Sequence, residues 1–206
     1  MATRELILQK AIEAFAAHGY EGASTAGIAR ACGVTQPLVH YHFASKENLF
    51  RAAVDLLFEG VHHQFGQIDG GLAASAPREL LRDLMRRFVH QCADRPEIAQ
   101  IVLREATQRN PRFDWMVERH IAPLVVHISG IFAGSLDEGE LRAMPPIHLM
   151  FVVMGGANLM FAAPGLFEAL TGRAPTDPET VSTHADAMVA LIERVLLPRE
   201  APRGPT

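Results

Sequence analysis

The chain has 206 residues, of which 49% are hydrophobic and 20% charged. This balance supports a packed core and argues against an intrinsically disordered chain. The formal net charge of -4 excludes an overall basic field, so any contact with nucleic acid must come from a local arrangement of donors. Two widely spaced cysteines and no recognisable export signal favour a cytoplasmic protein over a secreted disulfide scaffold.

Apolar residues recur at helical spacing along almost the whole chain, and the two-residue alternation typical of strands is absent. We therefore expect an all-α fold of about nine helices. The first helix is predicted from Arg4 to His18, where Gly19 can supply a left-handed stop. A short second helix follows, capped by Ser24 or Thr25 and ended by the Cys32-Gly33 pair.

The third helix is predicted to be equally short. Thr35 is its candidate N-cap, and Pro37 stands in the first turn, where the missing N-H of proline costs nothing. The helix needs to reach only to about His42. Ser45 then caps a fourth helix, whose first turn carries Glu47 near the positive end of the helix dipole.

The remainder of the chain reads as longer amphipathic helices separated by prolines. They are expected at 77–92, at 97–109, at 113–132 with a kink at Pro123, at 146–163 and from 177 to the stop at Pro198. The segment 199–206 has few apolar anchors and is expected to be a disordered tail.

The segment from Ala143 to Phe167 contains no Asp, Glu, Lys or Arg and could be taken for a membrane span. Prolines, a Gly155-Gly156 pair and Asn158 interrupt it, and no Lys or Arg cluster flanks it. We therefore expect a buried or interface helix and no membrane contact.

The span Ser24–Phe43, STAGIARACGVTQPLVHYHF, carries the features of a helix-turn-helix: two capped short helices joined by a tight glycine turn. The predicted core that fixes the angle between the two helices consists of Ile28, Ala29, Val34, Val39 and Phe43. His40, Tyr41 and His42 then remain exposed on this short helix, and their aromatic and imidazole groups indicate that the surface binds a partner molecule.

Bound to double-stranded DNA, Gln36 could pair with a base edge, while Pro37 and Leu38 could contact a thymine methyl. Hydroxyl groups, His40, Lys46 and the N-termini of the second and fourth helices could bind phosphates. The alternative is that these residues only cap helices and fill a small core, which leaves the outward aromatic group unexplained. The predicted DNA-binding residues are Ser24, Thr25, Thr35, Gln36, Pro37, Leu38, His40, Tyr41, His42 and Lys46.

The phrases AFAAHGYEGAS, TAGIARACGV, TQPLVHYHF and SKENLF closely resemble the N-terminal domain of the TetR/AcrR family of transcription regulators. The resemblance runs from about Arg4 to Phe58, and beyond it only the helical layout is similar. It implies a three-helix DNA-binding domain at 1–46, with the helix-turn-helix at 24–43, and a helical effector-binding and dimerisation domain at 47–198. Pro37 and His40 stand where many members have glycine and tyrosine, which leaves the operator sequence open.

The resemblance further implies a cytoplasmic homodimer whose two recognition helices read a palindromic operator and whose last two long helices form a four-helix interface. The residues agree, because the apolar face of the Val181–Leu196 helix and the small residues Gly155, Gly156 and Ala157 would expose a large apolar patch in a monomer. The alternative for either helix is an intrachain core. Repression is the implied outcome.

An unidentified small apolar or amphipathic effector is expected to enter a pocket among the middle helices and to shift the connecting helix, Lys46 to about Phe65. Such a pocket combines apolar walls with a few polar groups. The candidate pocket residues are Phe88, Cys92, Trp115, His127, His148, Met154, Asn158 and Phe161. Cys92 could instead be a redox sensor or, more simply, an inert buried thiol.

No cofactor or metal is expected, because His62-His63 and His40-x-His42 lack a Cys or acidic partner at a recognised spacing. An enzyme is also not expected, since the chain carries no phosphate-binding glycine loop, no G-x-S-x-G and no H-E-x-x-H. The remaining alternative is a DNA-bound protein of the same architecture whose C-terminal domain binds a protein partner instead of a small molecule.

Overall fold

The computed structural model describes residues 3–66, 68, 77–132 and 145–196. Within these ranges all regular elements are helical, which confirms the predicted all-α fold. The helices are α1 (Thr3–Gly22), α2 (Thr25–Ala31), α3 (Gln36–Phe43), α4 (Lys46–Phe65), α5 (Pro77–Asp94), α6 (Pro96–Thr107), α7 (Pro111–Met116), α8 (Ala122–Phe132), α9 (Pro146–Ala162), α10 (Pro164–Thr171) and α11 (Pro178–Leu196). A π-helical turn, Val117–Ile121, joins α7 to α8. The expected tail at 199–206 lies outside the described residues.

If α7, the π-helical turn and α8 are counted as one continuous helix, the described ranges hold ten helices, one more than the nine that the sequence pattern predicts, and the addition is α10. Pro164 breaks the apolar segment because its ring cannot follow an uninterrupted helix, and it then starts a new one at the first turn. Gly172, with φ 68°, ends α10 in the left-handed conformation.

The first compact unit consists of Met1–Gln67 and Arg95–Val126. Its core forms where the apolar face of α1 meets α4, and Phe15 packs edge-on against Phe50 with ring centroids 5.1 Å apart. Helix α6 packs on the same side of α1, and Arg104 donates from Nη2 to the backbone carbonyl of Ala17 at 3.0 Å. Residues 95–126 therefore belong, by packing, with the N-terminal helices. The division of function at residue 46 stays a prediction.

A π-helical turn directly precedes Pro123, where the sequence predicts a kink. Proline has no N-H to offer the carbonyl of residue 119, and its ring crowds that carbonyl. In the turn before the proline the helix widens by one residue, and the N-H of Ala122 bonds the carbonyl of Val117, five residues back, rather than that of Glu118. The turn directs His120 inward, where it is 4% exposed.

The second compact unit consists of Ile68–Asp94 and His127–Thr206. Its described core is built from α5, α9 and α11, and its buried residues are Leu81, Met85, Val89, Cys92, Ala157, Phe161, Val181, Ala185, Met188, Val189 and Ile192. Ion pairs Arg86–Asp186 and Arg82–Glu193 border this core. The expectation that the apolar face of α11 is left exposed in a monomer is wrong, because α5 presents a complementary stripe that covers it within the chain.

Among the described residues, most of the exposed large apolar side chains lie instead on α9 and α10. Only Ala157 and Phe161 of α9 are buried, so the expectation of a buried helix is wrong for most of its length, whereas an interface role stays a prediction. We call this surface the α9–α10 patch; it comprises Ile147, Phe151, Val152, Met154, Leu159, Leu166 and Leu170. In the described ranges no single helix meets the length and hydropathy criteria for a bilayer span, and the pair Ile147–Ala162 and Pro164–Thr171 meets them only jointly, across a 74° bend.

Candidate nucleic-acid interface

Helix α2 is fixed at both ends by local hydrogen bonds. The hydroxyl of Ser24 accepts from the backbone N-H of Gly27 at 3.0 Å, which confirms it as the N-cap. At the other end Gly33 adopts φ 67°, its N-H bonds the carbonyl of Arg30, and the N-H of Val34 bonds that of Ala29. This pair of bonds is a Schellman motif, and it makes the tight turn that the sequence predicts.

Helix α3 leaves this turn at a fixed angle because the predicted small core forms. Ile28, Ala29, Val39 and Phe43 are buried, and Val34 is partly buried. A second tie joins the N-termini of the two helices: Gln36 donates from Nε2 to the hydroxyl of Thr25 at 3.2 Å. The structure thus pre-orients Gln36, the residue predicted to read a base edge.

The outer face of α3 carries the remaining predicted contacts. Gln36, Pro37, His40 and Tyr41 are exposed, and Leu38 and His42 are partly so. Tyr41 stands out with 83% exposure, its ring edge-on to that of His42 at 5.3 Å. A phenol this accessible offers its hydroxyl to an external partner. Thr35 occupies the N-cap position of α3, but its side chain makes no capping hydrogen bond.

A γ-turn links α3 to α4. The N-H of Ser45 donates to the carbonyl of Phe43 at 2.7 Å, and the central residue, Ala44, has φ 60° and ψ -39°. A residue other than glycine is strained at positive φ, so the backbone between α3 and α4 is strained at Ala44. His40 lies with Nδ1 3.0 Å from the carbonyl oxygen of Ala44 and closes the corner.

Helix α4 begins beside this surface. Ser45 caps it by accepting from the N-H of Asn48 at 3.0 Å, as predicted. The ammonium of Lys46 lies 4.4 Å from the ring centroid of Tyr20 and donates to the carbonyl of Glu21 at 3.4 Å. The N-termini of α2 and α4 thus lie at the two ends of α3: the Thr25–Gln36 hydrogen bond joins the first to the start of α3, and the γ-turn joins the second to its end.

The predicted effector-pocket residues divide between the two compact units. Trp115 lies in the first unit, with the guanidinium of Arg51 5.1 Å from its ring centroid. In the second unit Cys92 and Phe161 are core residues, and the side-chain amide of Asn158 donates to the carbonyl of Met154 in its own helix. The others are partly buried or exposed: Phe88, His127, His148 and Met154. Their role in one pocket stays a prediction.

Burial raises the pKa of the Cys92 thiol to about 12. A thiol with so high a pKa carries almost no thiolate near neutral pH, so its reactivity toward oxidants is low. The reading of Cys92 as an inert buried thiol is therefore favoured over a redox sensor.

Sequence reasoning missed a polar cluster between α4 and the π-helical turn. The ring nitrogen Nδ1 of His120 lies 3.2 Å from Nε2 of His62, and its Nε2 lies 3.0 Å from Oδ1 of Asp55, though out of line for a hydrogen bond. Arg119 donates from Nε to the same Asp55 oxygen at 2.7 Å, and the Phe58 ring stacks on His120 at 4.8 Å. Desolvation lowers the pKa of His120, against the opposing effect of Asp55.

The only sequence signal for this cluster is the seven-residue spacing of Asp55 and His62, which places both on one face of α4. Among the described residues, no three His, Cys, Asp or Glu side chains converge in a way that could hold a metal ion.

Two family models match the chain. One, described as "Bacterial regulatory proteins, tetR family", matches residues 7–53 and so contains α2, α3 and the γ-turn. The other, described as "Tetracyclin repressor-like, C-terminal domain", matches residues 77–192. The first match covers the surface described above, and the second covers more than half of the chain.

Comparisons with individual proteins indicate the same family as the two family models. The chain is 44% identical over 148 residues to the HTH-type transcriptional repressor AcnR of Corynebacterium glutamicum, covering 72% of this chain and 73% of the relative. It is 22% identical over 202 residues to the HTH-type transcriptional regulator RutR of Escherichia coli, covering 98% and 92%. The structure of AibR in complex with isovaleryl coenzyme A and operator DNA shares the fold, with a TM-score of 0.71, 22% identity and coverage of 96% and 100%. AcnR and RutR are named as transcriptional regulators, not as enzymes, and the chain belongs to the TetR family of DNA-binding transcriptional regulators.

Proposed function

We propose that the protein is a homodimeric repressor that is released from a palindromic operator by a small apolar or amphipathic effector. The observation that carries the DNA-binding part is the outward face of α3, held by the Ser24 cap, the Gly33 turn and the Thr25–Gln36 hydrogen bond. A short helix oriented this rigidly, with its polar and aromatic side chains outward, suits insertion in the major groove.

Within this surface, base reading and phosphate binding fall to different residues. Gln36 and Leu38, near the N-terminus of α3, are suited to base edges. Thr25, Tyr41 and Lys46 flank them on α2, α3 and α4 and are suited to phosphates, which lie on either side of the groove. This division accounts for DNA binding by a chain with a net charge of -4, because the donors are local.

The homodimer is supported by the α9–α10 patch. Phe151, Leu159 and Leu170 are 67%, 59% and 78% exposed, and so many exposed large apolar side chains on two consecutive helices are uncommon on a monomer. Gly155 lies exposed within the same helix, with no neighbouring heavy atom within 4 Å of where its Cβ would be. A bare glycine on an apolar helix face allows a second helix to approach closely. A second copy of the chain suits this surface, since two-fold symmetry would bring like patches together.

An apolar or amphipathic effector is supported by the composition of the second unit. Its core is almost wholly apolar, with polar groups such as Asn158 at the margin, and a pocket opened there would have apolar walls and few orienting groups. AibR, solved in complex with isovaleryl coenzyme A and operator DNA, is an instance of the same fold with an acyl thioester. We extend to this protein only the general class, an acyl chain with a polar end.

The test is selection of short random duplexes by the purified protein, with the retained sequences read out and the mass of the complex measured. A palindrome with half-sites about one helical turn apart, or slightly more, bound by one or two dimers, is the expected result. Recovery of nothing beyond a salt-sensitive background would overturn the sequence-specific function. In that case the alternative function is favoured: the free protein is a monomer, and its α9–α10 patch binds a protein partner.

Two substitutions separate the predicted roles. Tyr41→Ala should weaken binding to every duplex by a similar factor, whereas Gln36→Ala should also relax the preference at particular base pairs. Equal losses for both variants across a set of mutated operators would contradict the assignment. Phe151→Asp should leave α9 folded, because the side chain is exposed, and should shift the free protein toward the mass of a monomer.

A further inference from the structure

Tyr20 lies in contact with two cations that come from distant parts of the chain. The Lys46 ammonium is 4.4 Å from its ring centroid, and the guanidinium carbon of Arg112 is 3.7 Å from it. The ring itself is seated against Phe15 and Phe50, with centroids 6.0 Å and 5.4 Å away. Tyr20 therefore has little freedom to turn, and any shift that its neighbours impose on it reaches Lys46.

Arg112 is the more firmly held of the two cations. Its Nε donates to Oε2 of Glu105 at 3.2 Å, and the side-chain amide of Asn110 donates to the same oxygen at 2.9 Å. Glu105 is only 5% exposed, so loss of either partner would leave a buried carboxylate oxygen with one hydrogen bond fewer. The planar guanidinium is thus fixed by a buried anchor while its face meets the tyrosine ring.

Arg112 and Lys46 also share Glu21, the residue next to Tyr20. Nη2 of Arg112 lies 3.5 Å from Oε1 of Glu21, and Lys46 donates to the backbone carbonyl of the same residue. Arg112 therefore contacts both Tyr20 and Glu21, and the same two residues contact Lys46, the first residue of α4.

We propose that Arg112 is a positioning residue for DNA binding, which sets the location of the Lys46 ammonium through Tyr20 and Glu21. The proposal rests on the proposed phosphate contact of Lys46. Arg112 lies outside the segment matched by the N-terminal family model and inside the segment matched by the C-terminal one. The C-terminal segment therefore supplies a residue on which the strength of a DNA contact depends.

The expected effect is modest and measurable. A partly exposed cation–π contact contributes a factor of about two to five to an equilibrium constant. Arg112→Met should therefore weaken binding to DNA by about two- to fivefold per subunit. Because a phosphate contact is independent of sequence, a random-sequence duplex of about three helical turns at low salt is a sufficient probe. The measurement thus does not require a known operator.

The decisive experiment is a double-mutant cycle in the full-length protein. Lys46→Met, Arg112→Met and the double variant are compared with the wild type for DNA affinity and for its salt dependence. If Arg112 acts through Lys46, it should weaken binding in the wild type and have no further effect in the Lys46→Met background. Additive losses in affinity would overturn the proposal without affecting the proposed function.

Arg109→Met is the matched control. It removes the same charge three residues away, from a side chain that is 84% exposed and whose ion pair is with Asp114, 3.6 Å away. Equal effects of Arg109→Met and Arg112→Met would show a general field effect and overturn the proposal. Since Arg112→Met leaves the buried Glu105 carboxylate without its cationic partner, the cycle is repeated in a Glu105→Gln background, in which the side chain can still accept from Asn110 and no buried negative charge remains.

Tyr20 supplies a second, independent readout. Tyr20→Phe keeps the ring and should bind DNA as the wild type does, whereas Tyr20→Leu removes the ring and should reproduce the loss of Arg112→Met, including its absence in the Lys46→Met background. Equal affinity of the Phe and Leu variants would overturn the role of the ring.

Discussion

The γ-turn at Ala44 leads to a prediction that runs against the usual effect of glycine. Ala44 has φ 60° and ψ -39°, where an L side chain is strained, while glycine adopts such angles freely. Backbone strain of this kind costs about 1–3 kcal/mol, and glycine loses about 0.4–1 kcal/mol through the greater entropy of its unfolded chain. We expect Ala44→Gly to raise the free energy of unfolding by about 0.5–2 kcal/mol.

For a chain of this length the gain corresponds to a Tm higher by about 2–6 °C. Thermal and urea unfolding, followed by circular dichroism at one fixed protein concentration, measure it. The concentration must be matched because association of subunits also changes Tm. The measurement needs no ligand and no DNA.

Ala17→Gly is the control. Ala17 is an exposed residue in the last regular turn of α1, two residues before the non-helical Gly19 (φ 70°), and glycine there should lower stability by about 0.5 kcal/mol, the low end of the helix-interior effect. The two substitutions are chemically identical and should have opposite signs. If Ala44→Gly destabilises the protein as much as Ala17→Gly does, Ala44 is not strained, and the interpretation of the helix junction as strained is wrong.

Three further predictions concern the two compact units. Desolvation lowers the folded-state pKa of His120 below 6.5, so stability should fall as the pH drops below that value. Urea midpoints measured between about pH 7.5 and pH 5 should show this fall, and His120→Gln should make stability less dependent on pH. Cys92 should resist a thiol reagent at about pH 8 in the folded protein and react in urea, as mass spectrometry of the labelled peptides would reveal; labelling of the native state at the unfolded rate would contradict its burial. Gly155→Ala has open space for its new Cβ, so it should weaken dimerisation but raise the stability of the monomer through helix propensity. In Gly156→Ala the new Cβ would lie 2.9 Å from the sulfur of Met188, so this variant should gain less stability. Equal gains in the free energy of unfolding would contradict the difference in packing.

The helix-turn-helix could be predicted almost completely from the sequence because its signals are local. Ser24, Gly33 and Ser45 each act within four residues of their own position, through a cap or a turn. Pro37 could be placed in a first turn without knowing anything about the rest of the chain. The same holds for the core of the motif, whose members are at most 15 residues apart, from Ile28 to Phe43.

Predictions from the sequence failed, or could not be made, where two residues in contact lie far apart along the chain. The apolar face of α11 was expected at a surface because periodicity shows that a helix has an apolar face but not which helix covers it. The cluster of Asp55, His62 and His120 depends on a pairing across 58 residues and on a π-helical turn whose effect on side-chain direction has no sequence signature. The Tyr20–Arg112 contact is hidden for the same reason.

The packing of residues 95–126 with the N-terminal helices constrains how such a protein can be cut and recombined. A DNA-reading head excised after α4 would lose α6 and with it the cover that the buried side chains Ala99 and Ile101 provide, together with the Arg104 bond to the end of α1. A chimera that grafts this head onto another sensor should therefore keep its own 95–126 segment, so the transferable module is discontinuous in sequence. Substitutions confined to the described helices of the second unit, α5, α9, α10 and α11, change no residue of that module.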